Sequence, residues 1–230
     1  MINLASYLRT KAYPGRGLAV GNIDDNIVIV YFIMGRSTNS RNRVFVETSD
    51  GIKTMAFDES KMLDPSLIIY NPVRTFRDST IVTNGDQTDT VYNYLAKGDS
   101  FENALRTRMF EPDAPNFTPR ISAIVEKDGT FKMSIIKSDD GDSEQCSRYF
   151  YEYGVPMNGT GRLLHTYEDN GNPLPSFMGE PRKIVFSGDI DTLTDTIWAN
   201  LNPENRVSLY VKYIPRTPGM EEVRIVNKNR

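Results

Sequence analysis

The sequence predicts an α+β fold with mainly antiparallel sheets. Runs of residues with strand character follow one another along most of the chain and are separated by short polar turns, so neighbouring strands can pair as hairpins. Helical spacing of apolar residues appears in only a few stretches. Because strands and helices do not alternate regularly, a doubly wound parallel sheet is excluded.

The stretch "GLAVGNIDDNIVIVYFIM" predicts the first hairpin, two strands joined by a polar turn at residues 24–26. Its second strand, residues 27–34, is continuously apolar, so we expect it to be buried on both faces. Further strands are predicted in the first half of the chain at residues 44–47, 52–57, 67–70 and 80–83.

Helical spacing follows Ser100, a residue type that caps helices. The apolar residues of this predicted helix share one face: Phe101, Ala104, Leu105 and Met109. Two strands then form a hairpin, at residues 121–126 and 130–136. A later helical stripe consists of Ile190, Leu193, Ile197 and Leu201, and residues 207–214 form the last predicted strand.

The composition is that of an ordinary globular protein. Hydrophobic residues make up 39% of the 230 positions and charged residues 25%, so the chain can bury a core. No linker, repeat or low-complexity tract divides it, and we expect one domain over residues 1–230. The single cysteine excludes an internal disulfide, and neither a signal peptide nor a membrane-length apolar run is apparent, which predicts a cytoplasmic protein.

Charge is distributed unevenly along the chain. Residues 1–43 hold six Arg and Lys residues and two Asp residues, a net charge of +4. Because the whole chain has a net charge of −3, residues 44–230 have a net charge of −7. Arg36, Arg41 and Arg43 lie within eight positions in the stretch "YFIMGRSTNSRNRVF". An acidic chain with a basic segment suits a small anionic ligand, whereas a nucleic-acid surface needs a broad basic stripe.

Residues for metal or cofactor chemistry are scarce. The chain has one histidine, His165, and one cysteine, Cys146, and no cluster has zinc spacing. We interpret His165 as a core or solvated residue. The glycine pairs of "GRG" and "GTG" complete no phosphate loop, and the acidic stretch "SDDGDSE" lacks the spacing of a calcium loop. We therefore expect no metal and no cofactor.

Two stretches carry the polar residues of a candidate site. "IVTNGDQTDTVYNYL" predicts a strand, a turn and a helix that Asp86 or Thr88 caps, and the free N–H groups of such a helix favour an anion. "MFEPDAPNFTPRIS" is an extended, proline-rich loop. It holds Glu111 beside apolar residues, which favours a raised pKa of its carboxyl. Each stretch can also be an ordinary surface connection.

These stretches together resemble the archaeal-type IMP cyclohydrolases and their bacterial relatives, most closely the bacterial branch. The matching runs are "YPGRGLAVG", "GRSTNSRNR", "IIYN", "VTNGDQTD", "FEPDAPNFTPRIS" and "PLPSFMGEP". The resemblance implies a four-layer α-β-β-α sandwich similar to the N-terminal-nucleophile hydrolases. It also implies a hydrolase acting on cyclic amidines, which closes the ring of formyl-AICAR, a purine ribonucleotide precursor, to give IMP and water without a cofactor.

The resemblance also implies roles for residues. Arg36 would stabilise the reacting oxygen, and Tyr70 and Glu111 would transfer protons. Arg41 would hold the nucleotide phosphate, while Arg43 would either contribute only its electrostatic field or be solvated. Base or ribose contacts are predicted for Asn84, Gly85, Asp86 and Thr88. Further predicted contacts to the substrate are Arg16, Ser37 and Arg120.

Two alternatives to this function stay open at the level of sequence. One is a relative that binds a purine nucleotide without turnover, and the other is an amidohydrolase that acts on a different formamide or cyclic amide. Turnover of formyl-AICAR discriminates all three. The expected partner is the small ribonucleotide, with neither nucleic acid nor membrane, and the sequence leaves open whether the chain forms a homo-oligomer.

Overall fold

The computed structural model describes residues 1–62 and 64–229, and it contains two seven-stranded sheets with few helices. In spatial order, the first sheet consists of Ile2–Asn3 (β1), Arg182–Val185 (β12), Thr160–His165 (β11), Arg16–Ile23 (β2), Asn26–Met34 (β3), Arg206–Pro215 (β13) and Glu222–Asn227 (β14). The second sheet consists of Cys146–Tyr153 (β10), Phe131–Ser138 (β9), Arg120–Val125 (β8), Ser79–Thr83 (β7), Val73–Phe76 (β6), Gly51–Ala56 (β5) and Arg43–Thr48 (β4).

The helices are Leu4–Arg9 (α1), Thr38–Arg41 (α2), Gln87–Ala96 (α3), Phe101–Arg106 (α4) and Ile190–Asn200 (α5), with a 3₁₀ turn at Glu59–Lys61. Of the strand pairs described, only β1 with β12 is parallel. The predicted α+β class with mainly antiparallel sheets is therefore confirmed. In the described part of the chain, no helix has the length and hydropathy to cross a membrane.

Strand β3 is buried on both faces, as its continuous apolar run predicts. Val28, Val30 and Phe32 belong to the core cluster that contains α1 and α5. The alternate residues Ile29 and Tyr31 belong to a second cluster. Because successive side chains of a strand point to opposite faces, one strand serves two cores.

Three apolar clusters hold the structure together. The first joins α1 and α5 to the first sheet through residues such as Leu8 and Leu193. The second contains residues from both sheets, among them Ile29 and Ile121. The third joins α3 and α4 to the second sheet. Burying one such side chain stabilises the fold by about 1.5–3 kcal/mol, so the clusters dominate the energetics.

The predicted strand at residues 67–70 is wrong. Asp64 accepts a hydrogen bond from the Ser66 amide at 2.9 Å, and the amides of Ile68 and Ile69 both donate to the Pro65 carbonyl. The local Asp64 bond turns the chain, so this apolar run cannot extend. Tyr70 consequently follows a turn, where its carbonyl accepts from the Thr54 amide.

The helix after Ser100 is shorter than predicted. Ser100 caps α4 as expected, but the helix ends at Arg106, and Met109 lies beyond it with 45% of its surface exposed. The Thr107 hydroxyl bonds to the carbonyl of Ala104 at 2.7 Å at this end. Six strands with mixed polar composition were also not predicted: β1, β6, β10, β11, β12 and β14.

The two sheets are linked at one side by Asn227, on the edge strand β14. Its side-chain oxygen accepts from the Phe45 amide at 2.8 Å, and its side-chain nitrogen donates to the Phe45 carbonyl at 3.0 Å. Phe45 lies on β4, the edge strand of the second sheet. One side chain therefore makes the pair of bonds that a neighbouring strand would make.

His165 is a core residue held in one tautomer. Its Nδ1 lies 2.8 Å from the Tyr167 carbonyl and its Nε2 lies 2.8 Å from the Tyr7 hydroxyl. Because a carbonyl only accepts, Nδ1 carries the proton and Nε2 accepts from Tyr7. Burial lowers the pKa of His165 to about 4, so the ring is neutral in the folded protein at pH 7.

This lowered pKa predicts an acid-sensitive contribution to stability. Between pH ~6.5 and ~4 the unfolded chain binds a proton at His165 that the folded chain does not, so the free energy of unfolding falls as the pH falls. We expect His165 to contribute about 3 kcal/mol to this loss. Urea unfolding at pH 7 and pH 4.5 of the native chain and of His165→Gln measures it. Equal pH dependence of the two proteins would contradict the assignment.

Candidate active site

A cavity of about 370 Å³ opens where β2 begins and β3 ends. Its wall comes from residues that precede β2, from the β3–β4 connection, from the proline-rich loop and from the segment after β11. Among the residues that line it are Tyr13, Gly15, Arg16, Arg36, Ser37, Ser40, Arg43, Leu67, Glu111, Asp113, Asn116, Thr118 and Tyr167. Three arginines and several hydroxyl groups make this wall suitable for a polar anion.

A narrow crevice adjoins the cavity and is too small to hold a water molecule. It is lined by Ser66, Leu67, Tyr70, Gly85, Asp86, Glu111 and Arg120. Glu111 and Leu67 belong to both spaces. The loop of the "FEPDAPNFTPRIS" stretch therefore brings its carboxylate to the junction of the two.

Glu111 and Arg16 form a buried pair at this junction. Their bonds are bidentate, at 2.9 Å from Nη1 to Oε1 and 3.0 Å from Nη2 to Oε2. Burial raises the pKa of Glu111, as the sequence predicts, while the charge of Arg16 opposes that rise. Arg16 also donates to the Asn84 carbonyl at 3.1 Å. Arg16 thus orients the carboxylate from the first sheet.

Arg120 lines the crevice beside this pair. Its Nη1 donates to Asp86 and to Gln87, both at 2.7 Å, and its Nε donates to the Met109 carbonyl. Asp86 occupies the N-cap position of α3, but its carboxylate bonds to Arg120 and Arg108 and makes no cap bond. Burial acts to raise the pKa of Asp86, yet the two arginines lower it below its ordinary value.

Tyr70 and Glu111 both line the crevice, but each is bonded to a different partner. The Tyr70 hydroxyl lies 2.8 Å from the Tyr31 hydroxyl, and both tyrosines are buried. Burial raises the pKa of Tyr31 well above its ordinary value. The Tyr70 side chain is therefore held by Tyr31 and lines the same narrow space as the Glu111 carboxylate.

Two residues that are predicted to contact the substrate bond to groups within the protein. The Asn84 side chain donates to the Pro119 carbonyl at 2.8 Å and accepts from the Ile121 amide at 2.9 Å. The Thr88 hydroxyl lies 2.7 Å from that of Thr83. Asn84 and Thr88 are both completely buried. Their side chains hold the turn in place and are not among the described residues that line the cavity or the crevice, so their contact with a ligand stays a prediction.

The three arginines of the basic segment differ in position. Arg36 lines the cavity and donates from Nη1 to Asn170 and to the Gly171 carbonyl, at 2.6 and 2.9 Å. Arg41 is exposed and bonded to the Gly35 carbonyl and Asn205, and it is not among the described residues that line the cavity. Its predicted phosphate contact is therefore not supported by its position.

Arg43 is buried in the cavity wall, whereas the sequence left open whether it acts through its charge or is solvated. Its Nε donates to the Ser40 carbonyl at 2.8 Å, while its buried Nη1 has no hydrogen-bond partner among the described residues. A buried guanidinium N–H without a partner costs free energy that an anionic ligand can offset. Ser37, a predicted contact, lines the same wall and caps α2.

Gly85 lines the crevice because no larger residue fits there. A Cβ at this position would lie 2.6 Å from Gln87 Oε1, 2.8 Å from Arg120 Nη1 and 3.5 Å from Glu111 Oε1. Its backbone is not in the left-handed region, so space alone sets the requirement. The glycine leaves open the space between Arg120 and Glu111.

Sequence reasoning missed part of the cavity wall. Asp113, Thr118 and Tyr167 form a hydrogen-bonded chain there, and Tyr13 stacks on Tyr167 with ring centroids 6.0 Å apart. Tyr13 and Thr118 lie in the conspicuous runs "YPGRG" and "FEPDAPNFTPR", but Tyr167 has no signal of its own. Within residues 1–62 and 64–229, no group of three His, Cys, Asp or Glu residues is placed to hold a metal.

Comparison with known proteins places the chain in one family. A family model described as IMP cyclohydrolase-like protein matches residues 13–217, which include the cavity wall, the second sheet and five of the seven strands of the first. The IMP cyclohydrolase of Methanopyrus kandleri is 31% identical over 166 residues, 67% of this chain and 75% of that protein.

Two further relatives carry the same name. The IMP cyclohydrolase of Methanosphaera stadtmanae is 27% identical over 63% of this chain and 76% of its own length. That of Methanococcus maripaludis strain S2 is 30% identical over 132 residues, 55% of this chain, and the match spans 65% of the relative's length. The chain belongs to the family of IMP cyclohydrolase-like proteins.

Proposed function

We propose that this protein is an IMP cyclohydrolase of purine biosynthesis, a hydrolase that closes the ring of formyl-AICAR to IMP and releases water. One observation carries the proposal. A buried carboxylate, Glu111, lies at the junction of an arginine-lined cavity and a tyrosine-lined crevice. The family's relatives named IMP cyclohydrolase support the same reaction.

The reaction needs little more than orientation and proton transfer. The carboxamide nitrogen and the formyl group are carried on one ring, so their proximity is already supplied. Glu111 takes a proton from the carboxamide nitrogen as that nitrogen bonds to the formyl carbon. Tyr70 gives a proton to the formyl oxygen, which becomes a hydroxyl group.

Dehydration then returns both groups to their starting state. Protonated Glu111 gives its proton to the hydroxyl group, which leaves as water. The Tyr70 phenolate takes the remaining proton from the former formamide nitrogen, and Tyr31 holds the Tyr70 oxygen in place through their 2.8 Å bond. All atoms balance without a further reagent.

The arginines divide between the two ends of the substrate. Arg43 is our candidate for the phosphate, because its buried Nη1 lacks a partner and the Ser37 and Ser40 hydroxyls line the same wall. Arg36 is proposed to stabilise the charge on the reacting oxygen, since Asn170 and Gly171 engage only its Nη1. Arg16 orients Glu111, and Gly85, Asp86 and Arg120 line the crevice, which is too narrow to hold the base and therefore only borders it.

We also propose that residues 1–230 form one domain, a four-layer α-β-β-α sandwich like that of the N-terminal-nucleophile hydrolases. Support comes from the three apolar clusters. One lies between helices and the first sheet, one between the sheets, and one between the second sheet and helices.

The first test is turnover by the proton-transfer pair. An ultraviolet assay with formyl-AICAR should show ring closure by the native chain. Tyr70→Phe and Glu111→Gln should each lower kcat about 100-fold or more, and the double variant little further, because members of one unit are non-additive. Tyr149→Phe, at an exposed tyrosine of β10, is the matched control. Binding of IMP without turnover would favour a non-catalytic nucleotide-binding protein.

The second test separates the arginines. Arg43→Gln should raise KM about 30- to 100-fold with kcat spared, since a phosphate contact acts equally in the ground and transition states. Arg36→Gln should depress kcat about 100- to 1000-fold. Arg41→Gln, two positions from Arg43, should change neither. If Arg43→Gln weakens a nucleoside without phosphate as much as the nucleotide, Arg43 is not the phosphate ligand.

The third test concerns the space at Gly85. A methyl group in Gly85→Ala must displace Arg120 or Gln87, and a misplacement of about 1 Å in a site can cost about 100-fold. We expect kcat to fall about 10- to 100-fold while thermal unfolding changes little. Gly154→Ala, where a Cβ meets nothing within 4 Å, is the control. Full activity of Gly85→Ala would exclude the crevice from the reaction.

A further inference from the structure

The chain Asp113–Thr118–Tyr167 has a fixed direction of hydrogen bonding. Asp113 accepts from the Thr118 amide at 2.7 Å and from the Thr118 hydroxyl. A hydroxyl group has one proton, and Thr118 gives it to the carboxylate. The Tyr167 hydroxyl, which also contacts Thr118 Oγ1, must therefore be the donor in that bond.

The consequence is that Tyr167 faces the cavity as an acceptor. With its only proton used on Thr118, the phenol oxygen has a lone pair for a second bond. Several other polar groups of the wall can only donate, namely the guanidinium groups of Arg36 and Arg43 and the free amide nitrogen of Asn116, whose oxygen accepts from the Leu174 amide.

The ring of Tyr167 is held firmly in this position. Gly15 has φ +76°, and a Cβ there would lie 2.6 Å from a ring carbon of Tyr167, so only glycine permits this approach. Tyr13 stacks on Tyr167, and the Arg36 guanidinium lies over the Tyr13 ring, 5.0 Å from the ring centroid. Tyr167 is only 4% exposed.

Tyr167 also lies between the two proposed ends of the substrate. Its partner Thr118 accepts from the Glu111 amide at 2.9 Å, which ties the chain to the acid–base end. Its stacking partner Tyr13 shares the cavity wall with Arg43, the candidate phosphate ligand. In a ribonucleotide, the group between the phosphate and the base is the ribose, whose hydroxyls are hydrogen-bond donors.

We propose that the Tyr167 hydroxyl accepts a hydrogen bond from a ribose hydroxyl and makes the site selective for ribonucleotides. Thr118 and Asp113 act as positioning residues that fix the direction of this bond. The inference rests on the proposed function, because it places a nucleotide in the cavity.

The test compares IMP with 2′-deoxy-IMP and 3′-deoxy-IMP by calorimetry. The native chain should bind one deoxy analogue about 10-fold more weakly than IMP, and Tyr167→Phe should weaken IMP by about the same factor without weakening that analogue further. In turnover of formyl-AICAR, the kcat of Tyr167→Phe should stay within about threefold of that of the native chain, and its KM should rise.

Thr118 provides a matched pair of variants. Thr118→Val removes the acceptor that orients Tyr167, so discrimination between IMP and the deoxy analogue should fall toward one. Thr118→Ser keeps the hydroxyl group and should therefore keep the discrimination of the native chain. A purely structural role of Thr118 would lower the melting temperature of Thr118→Val but leave this ratio unchanged.

The outcomes separate this inference from the proposed function. In one outcome, the native chain turns over formyl-AICAR and yet binds IMP and both analogues equally; in another, it turns over formyl-AICAR and Tyr167→Phe weakens all three nucleotides equally. Either result overturns the ribose contact alone. Discrimination that depends on Tyr167, without turnover, supports the contact and overturns the cyclohydrolase. If the native chain binds none of the three nucleotides, both fail.

Discussion

The buried pair of Arg16 and Glu111 is the interaction on which the site depends. Arg16 begins β2 in the first sheet, and Glu111 lies on the loop that precedes β8 in the second. Removing either partner would leave a buried charge without compensation, which typically costs about 3–5 kcal/mol. The pair therefore joins the two sheets at the point where the cavity meets the crevice, and it holds the only carboxylate that borders both spaces in the described part of the chain.

The cavity combines this fixed pair with groups that complement a substrate of mixed polarity. The cavity wall holds arginine donors and the Tyr167 acceptor, and Glu111 borders a crevice that Tyr70 also lines. Each group is held by a second residue: Arg36 by Asn170, Tyr70 by Tyr31, and Tyr167 by Thr118. Such support keeps polar groups aligned before a ligand arrives, which is how a site stabilises developing charge without reorganising.

Much of the fold could be predicted because local patterns agree with the final structure. The apolar run of β3, the hairpin that precedes it and the cap at Ser100 all depend on neighbours in sequence. The strand prediction for residues 67–70 failed because the turn at Asp64 overrides the apolar character of this run. The sequence favours Arg41 over Arg43 as the phosphate ligand, but only the third dimension shows that Arg41 is bonded at the surface whereas Arg43 is buried in the cavity wall. Tyr167 joins Thr118 across 49 positions, a distance that no local pattern encodes.

The Asn227 bridge to Phe45 has a consequence for how copies of this protein coexist at high concentration. The unpaired backbone of an edge strand is a template onto which another chain can add, and this is a common start of aggregation. In the middle of β4, the amide and the carbonyl of Phe45 are already occupied by one asparagine side chain. An incoming strand would have to displace two hydrogen bonds to pair at Phe45, so this side chain protects the middle of this edge without lengthening the first sheet.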